Sequence, residues 1–151
     1  MERDSLAARL EPDTDGTGKL VVTVQFRGFS GHGGAWFNVS ELEEFAEAIS
    51  AFPIPNARRP SIAGGFYKKD TSGELEQEHL ALTVYAVGGR GQVGILVRLS
   101  TEMWDDDRPE SQSAVRIEFL TTYQPLADFS KALRSLVRGR GEAAILHSNV
   151  T

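Results

Sequence analysis

Residues 79–100 read HLALTVYAVGGRGQVGILVRLS, and the fold turns on this stretch. Leu80, Leu82, Val84 and Ala86 fall on alternate positions before the glycines, and Val93, Ile95, Val97 and Leu99 do so after them. A period of two puts each set on one face of a pleated strand, the mark of a half-buried sheet. Between the runs, Gly88-Gly89-Arg90-Gly91 supplies residues that tolerate the positive φ of a tight hairpin. The two runs are therefore expected to be antiparallel neighbours.

The same alternation extends outward. Lys19 to Arg27 sets Leu20, Val22, Val24 and Phe26 on one face, and Ser113 to Thr122 aligns Val115, Ile117 and Phe119. Ser5 to Leu10, Ala35 to Asn38 and Ser61 to Tyr67 read as further short strands, with turns over Glu11 to Gly18 and Lys68 to Gly73. Two helices complete the set. Ser40 to Phe52 places Leu42, Phe45, Ala46, Ile49 and Phe52 at helical spacing, with Ser40 and Glu43 as a capping box and Pro53 and Pro55 as stops. Pro125 to Arg138 carries Leu126, Phe129, Leu133, Leu136 and Val137 as its apolar stripe, with Lys131, Arg134 and Arg138 towards its C-terminal end. Glu142 to His147 fits a helical turn or an edge strand. The expected fold is a single α+β domain over residues 1–151, an antiparallel sheet of about 5–7 strands with two amphipathic helices packed on it.

Composition narrows the function. A chain of 151 residues can bury roughly 70% of its unfolded surface, so it needs no metal or disulfide to fold. Cysteine is absent, which removes disulfides, thiolate metal sites and cysteine nucleophiles. A net charge of −5 argues against non-specific nucleic-acid binding, which draws on a surplus of Lys and Arg. No apolar run reaches the about 18 residues of a membrane span, and none of signal-peptide length follows Met1-Glu2-Arg3-Asp4. The expectation is a cytoplasmic protein without membrane contact or cofactor.

Two segments stand out as candidate sites. Gly28-Phe29-Ser30-Gly31-His32-Gly33-Gly34 could be a ligand loop, with Gly31 and Gly33 offering backbone amides to an anion and His32 a proton carrier. It lacks the Gly-Lys-Ser/Thr ending of a Walker loop and does not open into a helix, so a plain hairpin loop or bulge stands beside that reading. The second segment, Glu102 to Glu110, packs five acids and one base into nine residues. It has no calcium-loop spacing, and charge runs of this kind are commonly solvated faces. Trp104 next to Asp105, Asp106 and Asp107, with Glu110 beyond, also fits a landing surface for a basic protein partner, unless Trp104 and Trp36 are core residues. Glu74, Glu76 and Glu78 share one face of a strand with His79 on the other, so a metal site there would need a bulge. No nucleophile elbow or triad signature accompanies His32, His79 or His147, and no catalytic or metal-binding residue is expected.

The order of elements resembles small bacterial proteins of the WapI-type immunity family: Val21 to Phe26, then Ala35-Trp36-Phe37, then the helix with Leu42 to Ala46, the strands from Leu80 to Thr122, and the closing helix Leu126 to Leu136. The resemblance implies an intracellular antidote that binds and blocks a toxin domain, and it carries over no functional residue. The leading expectation is thus a non-enzymatic bacterial binding protein. The alternatives are a small-molecule-binding domain or enzyme using Gly28 to Gly34, and a structural homo-oligomer assembled through the face bearing Val21, Leu96 and Leu120.

Overall fold

The computed structural model describes residues 3–150. β1 (Ser5–Pro12), β2 (Thr17–Phe26), β3 (Phe29–Asn38) and β8 (Ala144–His147) make one antiparallel sheet, in the order β3-β2-β1-β8. β4 (Ser61–Tyr67), β5 (Leu75–Val87), β6 (Gln92–Ser100) and β7 (Ala114–Thr122) make a second, as a simple meander. Helices α1 (Val39–Ala48) and α2 (Tyr123–Val137) follow β3 and β7. The class is the expected one, α+β with antiparallel strands and two helices. Among the described residues the strands number eight and divide into two sheets of four.

The β5–β6 hairpin forms as read, with Gly88 at φ 64° and Gly91 at φ 82°. Glu142 to His147 resolves to the short edge strand β8, paired with β1. The largest departure is at Gly28 to Gly34, where a loop was expected. The turn is only Arg27-Gly28, both at positive φ (50° and 86°), between the paired residues Phe26 and Phe29. That is the two-residue turn whose twist suits a hairpin. From Phe29 onward the chain is extended strand.

The glycines serve packing instead. Gly64, Leu80, Leu99 and Val115 are direct partners across the second sheet, a row at right angles to its strands. A Cβ at Gly31 would meet Val115, one at Gly33 would meet Leu99, and one at Gly64 would meet Ala35 and Phe37. So β3 runs along that row and crosses the second sheet strand by strand, an orthogonal packing of two sheets. Gly31 and Gly33 let the two backbones approach where any side chain would hold them apart.

The first helix also differs. Asn38, not Ser40, is its N-cap, and the Asn38 amide donates to Glu41 Oε1 at 3.2 Å. The helix stops at Ala48, before the prolines, where the chain tightens so that the Ser50 and Ala51 amides bond only three residues back, to the Glu47 and Ala48 carbonyls. Phe52 therefore lies outside it, exposed, with its ring edge-on to Tyr123 at 4.7 Å. Most of the residues expected to face inward are buried, from Leu20 to Phe26, Leu80 to Val84, Val93 to Leu99, Ile117, Phe119, Leu42 to Ile49 and Leu126 to Leu136, while Ala86, Val115 and Val137 are half-buried. Phe26 of one sheet meets the fully buried Phe119 of the other at 5.3 Å. The buried Ser130 hydroxyl donates to the Ala46 carbonyl at 2.6 Å and ties α2 to α1. Among the described residues no helix is long and apolar enough to cross a membrane.

Candidate interaction site

Both tryptophans are on the surface, Trp36 at 50% and Trp104 at 63% exposure, so neither is a core residue. Trp104 sits in the β6–β7 connection, and its setting is built by residues far apart in the chain. Gln77, on the first turn of pleat in β5, reaches across to Met103: its Nε2 donates to the Met103 carbonyl at 2.7 Å and its Oε1 accepts from the Met103 amide at 3.0 Å. One side-chain amide thus pins the backbone immediately before Trp104. Because Oε1 is an acceptor, the His79 ring, 2.9 Å away, must donate from Nε2, which sets its tautomer. Burial holds the His79 imidazole below its ordinary pKa, with Glu102 pulling the other way.

Past Trp104 the chain turns back at once. The Trp104 amide donates to Asp107 Oδ2 at 2.9 Å, and the Asp107 amide donates to the Trp104 carbonyl at 2.9 Å. The indole is supported on one side by Phe66, with ring centroids 5.0 Å apart, and Phe66 in turn packs edge-on to His79 at 4.6 Å. Phe66 is reachable because the β4–β5 pairing slips at Gly64/Gly65 and again at Phe66/Tyr67. A Cβ at Gly65 would lie 2.0 Å from the Gln77 carbonyl oxygen, so only glycine fits at that first slip.

Below the indole is an open groove of about 700 Å³ between the β4–β5 hairpin and the β6–β7 connection, lined among others by Phe66, Tyr67, Lys69, Glu76, Trp104 and Asp105. The acidic candidates divide around it. Asp105 lines the groove; Asp107 folds back to cap the turn; Asp106 and Glu110 are exposed outside it, Glu110 in the single 3-10 turn Pro109–Ser111. Among the described residues, none of Glu102, Asp105, Asp106, Asp107 and Glu110 makes an ion pair.

The other candidate segment is elsewhere and differently made. Gly31 and Gly33 belong to the extended, ladder-paired β3, which offers no concave nest of amides for an anion. His32 is exposed, with Nδ1 2.8 Å from the Thr23 hydroxyl across the β2–β3 pair. A cleft of about 120 Å³ lies beside it, and it shares no lining residue with the Trp104 groove. The glutamate row does not converge either. Glu74 is paired with Lys68 at 2.9 Å and Glu78 with Arg98 at 3.2 Å, and among the described residues no group of three or more His, Asp or Glu is placed to hold a metal ion. Inside the molecule, the apolar cavity lined by Leu6, Phe45 and Phe129 measures only about 10 Å³, room for one water at most.

Phe66, Tyr67 and Gln77 are not singled out by the sequence, and Glu76 is named there only as one of a row of glutamates. Phe66 and Tyr67 read as the end of a strand, and the pairing of Gln77 with Met103 spans 26 residues with no motif to announce it. No protein family, curated protein or solved structure matches the chain.

Proposed function

We propose that this is a non-enzymatic binding protein, of the kind of a toxin-neutralising immunity protein, that captures a basic protein partner through Trp104 and the carboxylates around it. The observation that carries this reading is a large exposed indole held still: backbone pinned by Gln77 on one side and Asp107 on the other, ring propped on Phe66. An exposed aromatic ordinarily loses rotamer freedom on binding, and one already fixed keeps more of its burial energy. Aromatic anchors of this kind are the usual hot spots of protein interfaces. The unpaired acids beside it add a field that speeds encounter with a positive surface.

The test begins with a photo-crosslinking residue at the exposed position 108, beside the anchor, and a second at the exposed Ile145 as control, to identify the partner in the native host. Affinity for that partner is then measured for the wild type and for Asp105→Lys/Asp106→Lys, which leaves the turn-capping Asp107 in place. We expect crosslinking from 108 only, and a loss of about tenfold or more in affinity for the double variant, on the scale of two screened charge pairs. Binding that survives the charge reversal unchanged removes the loop from the interface.

A further inference from the structure

Resting on that reading, we propose that the groove under Trp104 receives an arginine side chain of the partner, its guanidinium stacked on the indole and paired with Asp105 and Glu76. The groove presents aromatic faces and carboxylates together. Phe66 occupies one side of the indole, and at 63% exposure the rest of the ring is open towards the groove, with Tyr67 also exposed on its wall. An indole face is the strongest aromatic partner for a cation.

The carboxylates make the second half of the argument. Of the three glutamates on the β5 side, Glu74 and Glu78 are neutralised by Lys68 and Arg98, while Glu76, the one that lines the groove, has no ion pair among the described residues. Asp105 faces the same space and is also unpaired. Two free carboxylates and an open aromatic face around about 700 Å³ fit an organic cation. Lys69 lies in the same wall and opposes any point charge that enters. That favours a cation that spreads its charge, stacks flat and bonds a carboxylate with two parallel N–H groups, which arginine does and lysine does not.

The experiment uses the full chain carrying Trp36→Phe, which leaves Trp104 as its single tryptophan. The probes are three peptides of the form acetyl-Gly-Gly-X-Gly-Gly-amide, with X arginine, lysine or citrulline, titrated while Trp104 fluorescence and the indole and backbone ¹H–¹⁵N shifts are followed. The arginine peptide is expected to bind saturably in the millimolar range, shifting Trp104, Gln77 and Tyr67, and the uncharged citrulline peptide to bind about tenfold more weakly. Asp105→Asn/Glu76→Gln should weaken the arginine peptide by a similar factor; read by the backbone shifts of Gln77 and Tyr67, Trp104→Leu should abolish the response and Trp104→Phe should keep part of it. The inference is overturned by absence of a saturable response, by equal binding of citrulline, by tighter binding of lysine, or by shifts that persist in Trp104→Leu. Loss of partner binding on charge reversal, with no arginine-peptide response, would sink this inference and leave the protein-binding reading standing. An arginine response with partner binding untouched by charge reversal would sink the protein-binding reading at this loop, and with it the partner as the source of the arginine, and leave only the groove's selectivity for a guanidinium.

Discussion

Replacing Gly31 with alanine puts the orthogonal packing to a direct test. The added methyl would lie 2.2 Å from Val115 Cγ1 and 3.1 Å from its Cβ, against an ordinary carbon contact of about 3.5–4.0 Å. Rotating Val115 does not relieve the strain, because its Cβ is itself too close and its χ1 is stiff. Gly31 is not in the left-handed region, so the backbone accepts alanine and the penalty is steric. Overpacking of this kind costs about 1–3 kcal/mol, and alanine recovers about 0.4–1 kcal/mol by restricting the unfolded chain. With Val115 only half-buried at the sheet edge and able to yield a little, the net is a loss of about 1–2 kcal/mol. Urea titration reads this as a midpoint lowered by roughly 0.5–1 M at an unchanged m near 2 kcal/mol/M. Val115→Ala alone removes half-buried methyl groups and costs about 1 kcal/mol. Combined, the new methyl enters the space Val115 gave up, so the double variant should be about 1–2 kcal/mol more stable than the sum of the two losses predicts. A Gly31→Ala protein as stable as wild type, or losses that simply add, would refute the crossing of β3 over β7 and the packing role of its glycines.

Gln77→Ala should cost about 1–3 kcal/mol locally by stripping both Met103 hydrogen bonds, and hydrogen exchange should speed selectively at Met103 to Asp107 while the core strands keep their protection. Tyr85 donates to Glu118 from a buried ring, and its phenol is pushed up to about 12, by burial first and by Glu118 second. Stability from this group is therefore full below the unfolded value of about 10 and falls as pH rises from there through about 12; Tyr85→Phe should remove that part of the alkaline loss in denaturant midpoints measured across the window, and cost about 1 kcal/mol at neutral pH because the exposed Glu118 can rehydrate. The Thr121 hydroxyl is fully buried and has no hydrogen-bond partner among the described residues, so the near-isosteric Thr121→Val should raise stability by about 1 kcal/mol in the same titration, and a loss there would mean that the hydroxyl has a partner in solution.

The alternating runs around Leu82, Val97 and Phe119 determine their own strands, because burial of one face writes a period of two into the chain. The helical stripes of Leu42 to Ile49 and Leu126 to Leu136 do the same with their own spacing. The sequence spells two overlapping capping boxes, Asn38 with Glu41 and Ser40 with Glu43, and the folded chain uses the first, so the helix begins two residues before the expected start. A periodic strand says which face is buried and nothing about its neighbours, so the split into two sheets belonged to the tertiary structure. Gly28 to Gly34 shows the limit most clearly. Glycine permits a loop and equally permits a strand pressed against another backbone, and only Val115 and Leu99, brought over it by the second sheet, decide for the strand.

The sequence likewise supplied Trp104 and its acids, but not whether the indole was core or surface, nor that Phe66, Gln77 and Glu76 stand around it. A local pattern carries the energetics of residues that are neighbours in the chain. The groove is made by residues that become neighbours only when the β4–β5 hairpin and the β6–β7 connection meet at one end of a folded sheet.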